Sequence, residues 1–104
     1  MPAAAYVIVE VDVHDTDAYG PYVDGATASV AASGGRYLAR GGRTRGLEGE
    51  PPRSRVVVLG FPDFDAAVAW YESDAYQQVA PIRHGAAVSR MFVVEALEAP
   101  PGTA

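Results

Sequence analysis

An α+β fold with the element order β-α-β-β-α-β is predicted by three observations. Four short runs rich in valine and other strand formers fall at 5–13, 36–40, 55–61 and 89–96. Two stretches with apolar residues at helical spacing fall between the first and second runs and between the third and fourth. Glycine and proline pairs mark the joints, at Gly34-Gly35, Gly41-Gly42 and Pro51-Pro52. This order is the ferredoxin-like arrangement, which closes into a four-stranded antiparallel sheet.

The first strand, Ala5 to Val13, places valines 7, 9, 11 and 13 on one face and Tyr6, Ile8, Glu10 and Asp12 on the other. Its first half is apolar on both faces, so something is expected to pack on each side of the sheet. Two sheets facing one another would supply that cover, which predicts a homodimer.

Asp15 or Thr16 can cap the first helix, in which Tyr19, Tyr22, Val23, Ala26 and Val30 recur until Gly34-Gly35 stops it. Gly20-Pro21 inside this stretch argues for a start one turn later, because an interior proline forfeits a hydrogen bond. Arg36 to Arg40 is the second strand, with Arg36, Leu38 and Arg40 alternating onto one face. Arg43 to Arg53 reads as a mobile glycine- and proline-rich connection. In the third strand, Arg55 to Phe61, Val56 to Leu59 is continuously apolar, as in a strand covered on both sides.

Pro62-Asp63 opens the second helix, whose i, i+3, i+4, i+7 stripe of Phe64, Ala67, Val68 and Tyr71 predicts its core face. Trp70 lies off that stripe and is assigned to a pocket wall or a dimer contact. Ser73 recaps a helical piece holding Tyr76, Val79 and Ala80, and Pro81 is expected to end or kink it. The fourth strand runs from Ser89 to Ala96. Residues 1–96 form one domain on this reading, and 97–104 a flexible tail.

Composition narrows the chemistry. The 104 residues are 49% hydrophobic and 20% charged, with a net charge of -5. A domain of this size buries only roughly 60 to 65% of its unfolded surface, so a partner copy would add stability. No cysteine is present, which removes disulfides, thiolate nucleophiles and thiolate metal sites. All eight basic residues are arginines, scattered along the chain, so neither a Schiff-base lysine nor the clustered positive charge of a nucleic-acid binder is available. No apolar run approaches the ~18 residues of a membrane span. The N-terminal residues lack the pattern of an export signal, which leaves the cytoplasm as the expected location.

Candidate site residues concentrate in the second half. His84 is a candidate general base and Tyr76 a second proton carrier. Arg83 and Arg40 can hold a carboxylate or enolate, Trp70 can stack on a ring, and Ser89 can donate a hydrogen bond. On a helix Arg83 and His84 would stand ~100° apart, so both reach one ligand only if the segment after Pro81 is a turn. Arg40 can alternatively pair with a carboxylate such as Glu48. Asp12, His14 and Asp15 are weak metal-ligand candidates, since Asp15 already has a capping role. No cofactor and no metal are expected.

Gly34-Gly35-Arg36-Tyr37-Leu38, Arg40-Gly41-Gly42, Leu47-Glu48-Gly49, Trp70-Tyr71-x-Ser73-x-x-Tyr76 and Arg83-x-Gly85-Ala86 to Ser89-Arg90 together resemble the DUF1330 family of small bacterial proteins. The resemblance spans roughly Tyr6 to Ala96. The family looks like a branch of the dimeric α+β barrel superfamily, whose members include cofactor-free monooxygenases, polyketide cyclases, muconolactone isomerases and haem-degrading enzymes. It implies a homodimer with a pocket between sheet and helices and a small aromatic or polyketide-like ligand. The Trp70 and Tyr76 pair resembles one that some cofactor-free oxygenases of the superfamily place beside substrate. The haem-degrading relatives use an asparagine, which this chain lacks. The implied function is a cofactor-independent cyclase, isomerase or monooxygenase-like enzyme, with a non-catalytic dimeric binding module as the alternative.

Overall fold

The computed structural model describes residues 4–97. Its elements are β1 (Ala5–Val13), α1 (Thr16–Ala32), β2 (Arg36–Arg40), β3 (Arg55–Phe61), α2 (Phe64–Glu72), α3 (Asp74–Gln77), α4 (Ala80–Ala86) and β4 (Ala87–Glu95). The strands form one antiparallel sheet in the order β2-β3-β1-β4. This is the ferredoxin-like α+β fold that the sequence predicts. Of the tail expected over 97–104, all but Leu97 lies outside the described residues.

One sheet face carries the core. Val7, Val9 and Val11 of β1 and Val57, Leu59 and Phe61 of β3 are buried against Tyr22, Ala26 and Val30 of α1 and Ala67 and Trp70 of α2. The opposite face pairs Tyr6 with Val94 and Ile8 with Val58 and Phe92. Phe92 and Val94 are exposed there, at 47% and 43%. Further along that face Glu10 accepts from Arg90 Nε and Nη2 at 3.0 and 2.6 Å, its cross-strand neighbour, and from the Arg53 backbone at 3.2 Å.

Helix ends follow the local rules. Asp15 caps α1 by accepting from Ala18 N at 3.1 Å, and Asp63 caps α2 by accepting from Ala66 N at 2.7 Å. Gly34, at φ 77°, supplies the left-handed stop after α1. The delayed start expected from Gly20-Pro21 does not occur: α1 begins at Thr16 and contains Pro21. Pro21 sits on the solvent side, where burial of the remaining turns outweighs one lost hydrogen bond. Pro81 likewise opens a helix rather than ending one. It occupies the first turn of α4, where its missing N–H has no intrahelical partner to lose.

Two further expectations are corrected. On α2 the buried residues are Ala67 and Trp70, while Phe64 and Tyr71 are exposed, Tyr71 at 39%. Both faces of this nine-residue helix carry apolar side chains, and the packing chooses the side where alanine permits close approach and the indole fills the remaining space. In β2 a bulge between Tyr37 and Ala39 breaks the expected alternation. Tyr37 lies opposite Leu59 and Arg40 opposite Val57, so Arg40 shares the helix-facing side with Tyr37 instead of the side with Leu38.

The connection from Gly41 to Ser54 has no regular structure, but its end is tied down. Asp12 accepts from Arg53 Nη1, Ser54 N and Ser54 Oγ, each at 2.8 Å. These bonds, led by the Ser54 N–H, pull the Asp12 carboxyl down to about 2. Asp12 and Asp15 are thereby committed to loop anchoring and capping. Among the described residues no group of three or more His, Cys, Asp or Glu is arranged to hold a metal ion, and no helix is long and apolar enough to cross a membrane.

Candidate functional site

Three helices bring a guanidinium and two phenols together in the interior. Tyr22 comes from α1, Tyr76 from α3 and Arg83 from α4, and all three are buried. Ser73 caps α3 by accepting from Tyr76 N at 3.2 Å, which fixes where the Tyr76 ring departs. The Tyr22 and Tyr76 hydroxyls are 2.8 Å apart. Arg83 Nη1 donates to Tyr22 Oη at 3.2 Å and also to Tyr76 Oη.

Arg83 is 5% exposed and has no carboxylate partner among the described residues. Its Nε is buried without a hydrogen bond. A buried charge is normally paired, because desolvation costs several kcal/mol. Here desolvation works against the charge, and the surrounding tyrosine oxygens more than offset it, so the guanidinium pKa is raised. Burial, reinforced by Tyr22, pushes the Tyr76 hydroxyl far above its ordinary value, against the lowering effect of Arg83. Tyr76 is therefore a neutral phenol that can donate a hydrogen bond and is unsuited to act as a base.

His84 lies on the exposed side of α4, and its Nε2 is 3.1 Å from Arg83 Nη2. Since a guanidinium only donates, Nε2 is the acceptor in this contact. The adjacent side chains that the sequence set apart on a helix meet through this bond.

A cavity of about 320 Å³ opens between α2 and the edge strand β4. Arg83, Trp70, Ser89 and Met91 are in its wall, together with Tyr71 and Glu72. Its volume is in the range that small-molecule sites occupy. Three of the expected ligand contacts, Trp70, Arg83 and Ser89, thus converge on one space. Tyr76 and His84 do not line it: Tyr76 stands behind Arg83, Trp70 and Tyr71 of its wall, and His84 contacts Arg83. Arg40 lies elsewhere, in the cleft between α1 and the sheet. It does not pair with Glu48: its guanidinium stacks 4.4 Å from the Tyr37 ring and donates to Thr27 Oγ1 at 3.2 Å.

Trp70 is 1% exposed and serves mainly as core. Its ring centroid is 4.4 Å from that of Tyr76 and 5.4 Å from that of Phe61, and its Nε1 donates to Ser29 Oγ at 3.0 Å. Tyr22, Ser29 and Glu72 escaped the sequence reading. Tyr22 looked like an ordinary apolar position of α1, and only a three-dimensional arrangement links it to a partner 54 residues away.

Solved structures of the same shape are distant in sequence. RPA0582, a protein of unknown function from Rhodopseudomonas palustris, superposes with a TM-score of 0.72 at 19% identity, over 94% of this chain and 85% of that one. SnoaB, a cofactor-independent oxygenase from Streptomyces nogalater, gives 0.64 at 14% identity, over 93% of this chain and 96% of that one. A dimeric protein of unknown function and ferredoxin-like fold from Bacteroides fragilis gives 0.52 at 11% identity, over 88% and 95%. At these identities the likeness establishes the fold and leaves the chemistry to the site. No curated protein matches the sequence significantly. The family model of DUF1330, a domain of unknown function, matches residues 4–97, nine-tenths of the chain, and the protein belongs to that family.

Proposed function

We propose that this protein binds a small aromatic or polyketide-like molecule in the cavity between α2 and β4 and promotes enolisation of it without a cofactor, as a step of an isomerisation, cyclisation or oxygenation. The observation that carries this reading is Arg83, a buried guanidinium with an unpaired Nε, set in the wall of a 320 Å³ cavity. A ligand oxygen that gains negative charge would supply the counter-charge that the protein withholds.

The roles follow from position. Glu72 supplies the carboxylate in the cavity wall and takes a proton from the carbon beside a ligand carbonyl. The electron pair left behind moves onto the carbonyl oxygen, which Arg83 holds as the enolate. Tyr22 and Tyr76 keep Nη1 in place, while His84 orients Nη2 from the solvent side. Trp70 offers part of its ring to the ligand, and Ser89 a hydroxyl. Two chains pair through the open sheet face, where Ile8, Phe92 and Val94 await cover. Support for the fold's capacity comes from SnoaB, which is a cofactor-independent oxygenase on the same scaffold.

A non-catalytic metabolite-binding module is the second reading, favoured by the position of Tyr76 and His84 outside the cavity wall. Proton exchange separates the two. With α-tetralone in D2O, the enzyme reading expects the wild type to speed α-proton exchange, and Arg83→Met and Glu72→Gln each to lose at least about tenfold of that rate. Binding of the ketone with no acceleration would leave the binding module.

A further inference from the structure

Two further arginines are unaccounted for by that cavity. Arg40 and Arg55 both line the cleft between α1 and the sheet, on the far side of Trp70 and Met91, which line both spaces. Arg55 begins β3, and no ion pair or side-chain hydrogen bond holds its guanidinium among the described residues. Its Nε is buried without a partner. No carboxylate lines the cleft: Glu10 and Asp12 are engaged by Arg90 and by Arg53 with Ser54 on the other face.

Two local departures from regular structure produce this juxtaposition. The bulge between Tyr37 and Ala39 turns Arg40 onto the helix-facing side, opposite Val57. Gly41, at φ 70°, leaves room for Arg55, since a Cβ there would stand 2.5 Å from Nη1. Two like charges held at one cleft repel, and among the described residues no carboxylate pairs with either, Arg40 having only the Tyr37 ring and Thr27 Oγ1. The free space of the cleft is about 30 Å³, enough for roughly two water-sized atoms and too little for an aromatic ring. The walls beneath are the side chains of Tyr19, Tyr22 and Tyr37.

We propose that the Arg40 and Arg55 cleft is a carboxylate-binding site, taking the two oxygens of a small organic acid while the rest of the acid points out of the cleft. The site is separate from the Arg83 cavity and stands whether or not that cavity is catalytic. Arginine suits the role because its planar fork matches two carboxylate oxygens.

The test is a titration of the intact protein with sodium acetate against sodium chloride at equal ionic strength, following the arginine Nε–Hε signals by NMR. The Arg55 signal, assigned by its loss in Arg55→Lys, is expected to shift saturably with acetate and not with chloride. Arg40 is exposed, so Arg40→Gln retains the fold and should weaken acetate binding roughly tenfold, with the Arg55 signal still readable. Equal shifts with acetate and chloride, saturation by inorganic phosphate but not acetate, or undiminished acetate binding in Arg40→Gln would each overturn the assignment.

Discussion

The hydroxyls of Tyr22 and Tyr76 lie 2.8 Å apart, and Arg83 donates to both from one nitrogen. This contact ties α1 to the α3–α4 segment through polar atoms in the interior of a small domain. Replacing Tyr76 by phenylalanine leaves the charged donor, only 5% exposed, with one oxygen fewer. The expected loss is about 1.5–3 kcal/mol, read from urea unfolding. A loss under about 0.5 kcal/mol would mean that Arg83 finds solvent more easily than its burial indicates.

Trp70 and Tyr71 are neighbours with opposite fates. Trp70→Ala should cost about 3–5 kcal/mol, since it empties the space between Phe61 and Tyr76 and removes the hydrogen bond that Ser29 Oγ accepts. Tyr71→Ala should cost about 1 kcal/mol, the worth of its half-exposed ring contacts. Comparable losses in the two variants would restore the packing face that periodicity alone favours.

Periodicity was a good guide to existence and a poor one to phase. The caps at Asp15, Asp63 and Ser73 and the stop at Gly34 are set by contacts between residues near in sequence, and the bounds of β1, β2 and β3 by local runs of strand formers between turn residues; all were legible there. The phase of α2 was not, because Phe64, Ala67, Val68, Trp70 and Tyr71 offer two apolar faces and only the sheet beneath chooses. The first-turn place of Pro81 depends on where α3 ends. The β2 bulge, which reverses the side of Arg40, has no glycine or proline within it to announce it. Of the site, Trp70, Arg83 and Ser89 were named from sequence, whereas Tyr22 and Arg55 acquire meaning only from neighbours many residues away.

Acid should loosen the anchored end of the long connection. The Asp12 carboxyl, at about 2 in the folded chain against an ordinary 3.8, stabilises the fold fully above the higher value. That contribution fades as pH falls from 3.8 through about 2. Asp12→Asn should flatten the fall in melting temperature across this window. An unchanged pH profile in the variant would show that Arg53 and Ser54 are held by other means.

The open sheet face predicts the assembly. Light scattering at micromolar concentration should give twice the 10.9 kDa of the chain. Phe92→Glu, which places a charge among Ile8 and Val94, should return it to one chain while retaining the far-UV spectrum. A wild-type mass near one chain would contradict the paired arrangement.

Arg83 as the anchor for a ligand's oxyanion is the central claim. Because Trp70 lines the cavity and is the only tryptophan in the chain, its fluorescence reports occupancy directly. Titration of wild-type protein and of Arg83→Met with 1-hydroxy-2-naphthoate is the most direct measurement. Methionine fills similar volume without the charge, so the variant should fold at least as stably as the wild type. Saturable quenching in the wild type, weakened about tenfold or more in Arg83→Met, is the predicted result; equal affinity in a folded variant would contradict it.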